Sequence, residues 1–339
     1  MRICVIFNPT AKGDRARHFR RRLDLVAGEC ALKQTVAPGG ARPLAAEAVR
    51  EGFDTIVAAG GDGTLNEVLN GIGDEPGGFE RARLGVLPVG TVNVFAKELG
   101  MPLPLAKAWQ VIRAGRETLI DLPSVQYSPF SSSTRTDDPG GNSFKAAEST
   151  GSLQPVSPSP GGEGGTAIHN PQTAKQHRHY FAQMAGAGLD ARAIQLVDWE
   201  LKKKIGPFAY VWASILALRG PPAQITATNG TESAAGELVL IGNGCFYGGR
   251  YRVFHQADRC DGLLEVRVFP RANWLTVARC AGVFLAGQPL PGAVAKRFRA
   301  GTFTLASSSP APLEVDGEIV GNLPATFSIE RQKLRVIVP

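Results

Sequence analysis

Thr55-Ile56-Val57-Ala58-Ala59-Gly60-Gly61-Asp62-Gly63-Thr64-Leu65-Asn66-Glu67 is the stretch on which the reading of this chain turns. Residues 55–59 form an apolar, β-branched run that predicts a buried strand, and 65–72 carries the spacing of a helix. Between them lie three glycines. Such a turn lets backbone approach phosphate oxygens closely, while the following helix start presents unpaired N–H groups and a positive dipole, with the Thr64 hydroxyl as a further donor. Asp62 would repel phosphate unless Mg2+ lies between them, which suggests a metal-bridged nucleotide. A tight strand-to-helix turn capped by Asp62 is the purely structural alternative. The string is neither a G-K-[ST] phosphate loop nor the dinucleotide G-x-G-x-x-G.

Working outward, two further loops follow predicted strands. Asn8-Pro9-Thr10-Ala11-Lys12-Gly13 follows the β-branched run 2–7, and Pro88-Val89-Gly90-Thr91-Val92-Asn93 follows the strand 83–88. Strands at 31–36 and helices at 14–26, 42–51, 92–99 and 105–114 complete an alternation that implies crossover units, a parallel sheet and helices on both faces. Loops leaving one edge of such a sheet converge on one crevice, where these folds bind ligands.

Beyond Asp121 the texture changes. Over residues 128–177, 22 of 50 are Ser, Pro or Gly, too little apolar surface to offset ordering entropy, so the segment reads as a disordered insertion at the tip of a hairpin flanked by strands. After it, short strands at 223–228, 236–241, 262–269, 300–306, 325–330 and 334–338 argue for an antiparallel β-rich domain. An amphipathic stretch, 199–218, interrupts this region, with Lys202, Lys203 and Lys204 before Phe208, Tyr210 and Trp212. The expected fold is therefore a doubly wound α/β domain over 1–121 followed by an antiparallel β-sandwich domain over 122–339, the final strand being available to return to the first domain.

A chain of 339 residues with 43% apolar content can bury a core in each domain, which excludes wholesale disorder. No run approaches the roughly 20 apolar residues needed to cross a bilayer, and the N-terminus lacks the pattern of a signal peptide, so a cytoplasmic protein is expected. Five scattered cysteines suggest neither a disulfide framework nor a zinc site. The net charge of +7 favours anionic partners, and because the insertion carries three basic and four acidic residues, that surplus belongs to the remainder of the chain. No nucleic-acid module is recognisable.

Taken in order, the Asn8-Pro9 loop, the Gly60–Glu67 loop, the Pro88–Asn93 loop, Gly186-Ala187-Gly188-Leu189-Asp190-Ala191, Asn243 with Tyr247-Gly248-Gly249, Asp261-Gly262-Leu263-Leu264 and Val315-Asp316-Gly317-Glu318 resemble the diacylglycerol kinase catalytic-domain family, which includes bacterial soluble lipid kinases and sphingosine kinases. The glycine-rich motif alone is shared with NAD kinases and phosphofructokinases. The resemblance implies an ATP-dependent lipid kinase that phosphorylates diacylglycerol or a similar lipid alcohol. It implies ATP held by Asn8, Pro9, Thr10, Ala11, Lys12, Thr35, Gly61, Asp62, Gly63, Thr64, Leu65, Asn66, Glu67 and Thr91. Glu318 is the expected base, with Asp62 as competitor; a carboxylate suits the task because the attacking alcohol loses its proton as the phosphorus bond forms. Mg2+ is implied with the nucleotide, and a structural cation at Asp261 with backbone groups of Asp258 and Leu263.

Two departures from the family pattern stand out. Val94 replaces an Asp after Asn93, and Cys260 replaces the first of a paired Asp. The first motivates an alternative, a nucleotide-binding regulatory protein without kinase activity; the shared glycine-rich loop motivates another, a kinase for a soluble acceptor such as NAD. A lipid acceptor implies peripheral docking at the inner membrane face. Arginines 15–22 and Lys202–Lys204 are candidates for contact with anionic lipid. A homodimer is left open.

Overall fold

The computed structural model describes residues 1–9, 14–22, 24–128, 177–196, 213, 216–249, 251–285, 288 and 290–339. Thr10, Ala11 and Lys12, the expected insertion between its two end residues, and residues 199–212, 214 and 215 of the amphipathic stretch lie outside them.

The first part of the chain runs β1 (Ile3–Phe7), α1 (Asp14–Arg21), α2 (Asp24–Ala27), β2 (Ala31–Gln34), α3 (Ala41–Arg50), β3 (Thr55–Gly60), α4 (Asp62–Gly73), α5 (Gly78–Arg81), β4 (Arg83–Pro88), α6 (Val94–Glu98) and α7 (Leu105–Ala114). β4, β3, β1 and β2 are parallel neighbours in that order. β1 and β3 are buried along their whole length, as continuous apolar runs covered by helices must be. α3 turns Ala45, Ala48 and Val49 inward and α4 turns Leu65, Val68, Leu69 and Ile72 to the same core. Gly71 lets these two helices touch: a Cβ there would fall 2.1 Å from the Arg42 carbonyl oxygen.

The second part runs β5 (Glu117–Ser128), β6 (His177–Tyr180), β7 (Met184–Gly188), α8 (Leu189–Gln195), β8 (Ile225–Thr228), β9 (Ser233–Gly236), β10 (Leu238–Gly242), β11 (Phe246–Tyr247), β12 (Tyr251–Arg252), β13 (Leu264–Phe269), α9 (Trp274–Leu285), β14 (Lys296–Ala300), β15 (Thr302–Ser307), β16 (Pro312–Val315) and β17 (Glu318–Ile337). Its pairings are antiparallel, and its side chains fill a second core around Phe181, Val266, Phe303 and Phe327. β5 pairs antiparallel with β6, so the two ends of the 128–177 segment meet side by side.

β17 joins the two regions. Its start pairs with β16 through the Asp316-Gly317 turn, and its end pairs antiparallel with β5 and parallel with β4 at Val336–Leu84. The sequence suggests separate strands at 325–330 and 334–338; they are one strand whose pairing slips between Glu330 and Leu334, where Gln332 takes a φ of 48°. α4 begins at Asp62, three residues before the sequence spacing predicts, because the Leu65 N–H reaches the Gly61 carbonyl and closes a turn over the glycines. α9 was not foreseen either: its 12 residues are nearly all apolar and lack a clear helical stripe, but Asn273 caps its start by accepting the Thr276 N–H at 2.9 Å.

Candidate active site

Because β1, β3 and β4 are parallel neighbours, the loops after Phe7, Gly60 and Pro88 leave one edge of the sheet. Two of them touch. The Gly90 N–H donates to the Gly60 carbonyl at 3.1 Å, and a Cβ on Gly90 would stand 2.3 Å from the Gly61 Cα. Glycine is therefore required there by backbone approach. Gly60 has the same constraint from within its own loop, since a Cβ would lie 2.4 Å from the Thr64 Cβ and hydroxyl. The third loop is shaped by Asn93, in the left-handed region at φ 54°, whose side-chain amide donates to the Gly90 carbonyl at 2.7 Å.

Asp62 lies where these loops cross. One carboxylate oxygen accepts the Phe95 N–H at 3.3 Å, which aims the group at the start of α6. Burial raises its pKa, the backbone N–H groups of Phe95 and Val94 oppose that, and the negative charge of Asp316 adds to it. Val94, which replaces a family Asp, thus contributes its main chain to the surroundings of Asp62.

Leu65, Asn66 and Glu67 turn their side chains elsewhere. Leu65 is in the core. Asn66, 1% exposed, donates from its amide to Asp316 at 2.9 Å and takes a hydrogen bond from the His179 Nε2 at 2.7 Å. Burial pushes the pKa of His179 down to about 4, so it stays neutral. Glu67 accepts the N–H groups of Gly39 at 3.0 Å and Ala41 at 2.7 Å and so caps α3. Around the rim, Asn8 and Pro9 are half-buried at the end of β1, Thr35 is buried with its N–H on the Phe7 carbonyl, and Thr91 is exposed.

From the other side comes the β16–β17 turn. Asp316 and Gly317 have φ values of 47° and 88°, the two left-handed residues of a tight hairpin turn. The Asp316 carboxylate is turned inward, where Oδ2 accepts Ala182 N–H at 2.8 Å and the Asn66 amide, and Oδ1 accepts Gln183 N–H at 3.0 Å and Met184 N–H at 3.1 Å. Removal from solvent raises its pKa, and the four donors oppose that rise. So anchored, the turn presents Glu318 across the glycine-rich loop, with Oε1 only 2.7 Å from where a Cβ on Gly63 would be. Solvent reaches Glu318, yet most of its carboxyl is surrounded by protein. Burial first, then the charges of Glu67 and Asp316, push its pKa up to about 7.

Glu98 ties α6 to the β-rich side, one carboxylate oxygen accepting the Gln183 amide at 3.0 Å and the Phe246 N–H at 3.1 Å. Sequence reasoning passed over Glu98 and the anchoring of Asp316. The Asp-Gly pair signalled a turn, but its donors, at 182–184, lie more than 130 residues upstream.

Asp258, Asp261 and Leu263 are placed away from this cleft, in the loop before β13. Asp121, fully buried, accepts the Gly262 N–H at 2.6 Å and the Gln332 N–H at 2.8 Å and clamps that loop to β17. A cation at Asp261 would have to compete with partners that the protein itself supplies. Asp261 spends one oxygen on the Leu263 N–H at 2.9 Å and the other on the guanidinium of Arg299, and Asp258 accepts the Cys260 N–H. Among the described residues, no group of three His, Cys, Asp or Glu side chains is placed to hold a metal ion.

Residues 2–125 match the family model described as the diacylglycerol kinase catalytic domain, and residues 183–338 match the YegS C-terminal NAD kinase beta sandwich-like domain. Together the two matches span the α/β region and the β-rich region, including both sides of the cleft. A diacylglycerol kinase of Staphylococcus saprophyticus is 26% identical, aligned over 99% of this chain and 94% of the relative; one from Staphylococcus carnosus is 25% identical over the same shares. A crystal structure of a diacylglycerol kinase from Bacillus anthracis superposes with a TM-score of 0.64 over 100% of this chain and 97% of the other, at 16% identity, which speaks to the fold.

Proposed function

We propose that the chain, whose residues 2–125 and 183–338 match the two domain models, belongs to the diacylglycerol kinase catalytic-domain family and transfers the γ-phosphate of ATP to the hydroxyl of diacylglycerol or a similar lipid alcohol. The observation that carries the residue-level reading is the position of Glu318: a carboxylate with a pKa near 7, open to solvent, held over the first turn of α4.

In this reading the nucleotide lies across the loops at Asn8–Lys12, Thr35, Gly61–Thr64 and Thr91, with backbone N–H groups at the start of α4 directed at its phosphates. Leu65, Asn66 and Glu67 support the loop rather than the nucleotide, since their side chains are engaged elsewhere and the Leu65 N–H is taken by the Gly61 carbonyl. Glu318 accepts the hydroxyl proton as the alcohol oxygen bonds to phosphorus and the bond to ADP breaks. Asp62, aimed at α6, is the worse placed of the two candidate bases and the better placed to hold Mg2+, being an oxygen donor whose protein partners are backbone N–H groups, Phe95 at 3.3 Å and Val94. Mg2+ accompanying ATP would supply neutralisation of phosphate charge there. Asp316 is an anchor.

Among the described residues no helix is long and apolar enough to cross a membrane. A bilayer-resident alcohol would then be reached by peripheral docking, at the cytoplasmic face, with exposed Arg21 and Arg22 available to anionic lipid. The test is incubation of the purified protein with radiolabelled ATP and Mg2+ against diacylglycerol in mixed micelles, and in parallel against NAD. Labelled phosphatidic acid supports the proposal; label in NAD alone, or ATP binding without transfer to any lipid alcohol, overturns it.

A further inference from the structure

Beneath the Asp316-Gly317 turn lies a second carboxyl cluster, which the transfer reaction as described does not use. Glu314, on β16, is fully buried, and Asp190, in the first turn of α8, is 9% exposed. One Asp190 oxygen accepts the Tyr247 hydroxyl, and one Glu314 oxygen accepts the Gly317 N–H at 2.9 Å. The two remaining oxygens, Asp190 Oδ2 and Glu314 Oε1, receive no donor among the described residues. Both stand over Gly186, where a Cβ would lie 2.2 Å from the first and 2.8 Å from the second.

Two acceptor-only oxygens facing each other inside a protein are untenable as a pair of anions. Each would lack a donor, and their charges would repel without water to screen them. One proton between them removes both costs. Burial raises the pKa of each group, the neighbouring charge of Asp190 raises Glu314 further, and the Tyr247 bond favours the ionised form of Asp190. The titratable groups facing the pair are Tyr247 from β11 and Asp316 from the turn.

We propose that Glu314 and Asp190 share one proton, Glu314 donating it to Asp190, and that this pair positions Glu318 by tying α8 and β11 to the turn through the Glu314–Gly317 bond. Glu314 is thus a positioning residue, acting through the turn rather than on the substrate. The inference rests on Glu318 as the base, but the shared proton is observable without any turnover.

The experiment combines infrared spectroscopy with kinetics on the full chain. Wild type shows the carbonyl stretch of a buried protonated carboxyl group that persists at about pH 8, well above the ordinary carboxylate range. Glu314→Gln, whose amide supplies the same donor to Asp190 and the same acceptor to Gly317, loses that band yet keeps kcat within about threefold of the parent. Glu314→Ala lowers kcat about 100-fold with the KM for ATP nearly unchanged, the signature of a displaced reacting group. Absence of the band in wild type overturns the shared proton. A Gln variant as impaired as the Ala variant overturns the positioning role. Should Glu314→Ala fail to fold, the wild-type band and its loss with retained turnover in Glu314→Gln decide the matter.

Discussion

Replacing Glu318 by Gln separates the chemistry of the site from its shape. The amide fills the same space over Gly63 but cannot accept a proton. Removing a general base typically lowers turnover by roughly 10² to 10⁴-fold, so kcat in the mixed-micelle assay should fall within that range while ATP binding, followed by calorimetry, stays near the parent value. The pH profile sharpens the expectation. Burial, with Glu67 and Asp316 adding like charge, sets the Glu318 pKa near 7 against an ordinary 4.5. About half of the base is then ionised at neutrality, and kcat/KM of the parent should fall about tenfold per pH unit on the acid side. Stability carries the opposite sign. A carboxyl whose folded pKa is raised contributes stability below its unfolded pKa and loses it as pH rises through the folded one, so the parent loses stability between about pH 4.5 and 7. Glu318→Gln should therefore melt higher than the parent at about pH 8, by a margin that solvent at the cleft mouth keeps small, and should not at about pH 4. Turnover by the variant within tenfold of the parent, or a parent acid limb centred near the ordinary carboxylate value, would refute the assignment of Glu318 as base.

Three further outcomes follow from the same geometry. Gly90→Ala drives a methyl group into the Gly61 backbone, so it should destabilise by about 1–3 kcal/mol in urea unfolding and weaken ATP binding, whereas a surface Gly such as Gly230, in a left-handed turn with nothing within 4 Å, should leave ATP binding unchanged when replaced by Asn. Asp121→Ala strands the Gly262 and Gln332 N–H groups and should cost about 2–4 kcal/mol, with Asp121→Asn less harmful because one acceptor survives. Chelation by EDTA should leave the melting temperature unchanged, because Arg299 supplies the positive charge at Asp261; Arg299→Gln should lower it, and a large fall on adding EDTA to the parent would restore the cation to that loop.

The glycine-rich loop, the alternation of strands and helices, and the strand 83–88 with its following loop were legible because each depends on residues close in sequence. An apolar run needs cover on both faces, and a glycine pair before a helix allows only a few backbone paths. Family motifs added Glu318 as a candidate, since the Asp-Gly turn before it is likewise local. Hidden from such reading were the tasks of the polar side chains. Glu67 and Asn66 sit in the glycine-rich motif, yet one caps α3 and the other braces Asp316. Asp261 reads as a cation ligand until β14 lies beside β13 and brings Arg299 to it.

The division follows from what sets each property. Turn chemistry and hydrophobic period act over a few residues, so the amino-acid order by itself determined the α/β lobe, the β-rich texture after it and the existence of a sheet edge from which the glycine-containing loops leave. Proton affinity and hydrogen-bond partnership depend on the donors and charges within a few ångströms, and in this protein those come from two segments far apart in the chain, β7 with α8 and the β16–β17 hairpin, which meet where β16 pairs with β7. Tertiary structure alone decided that four donors anchor Asp316, that burial and like charge push the Glu318 pKa up to about 7, and that Asp190 and Glu314 face one another over a glycine.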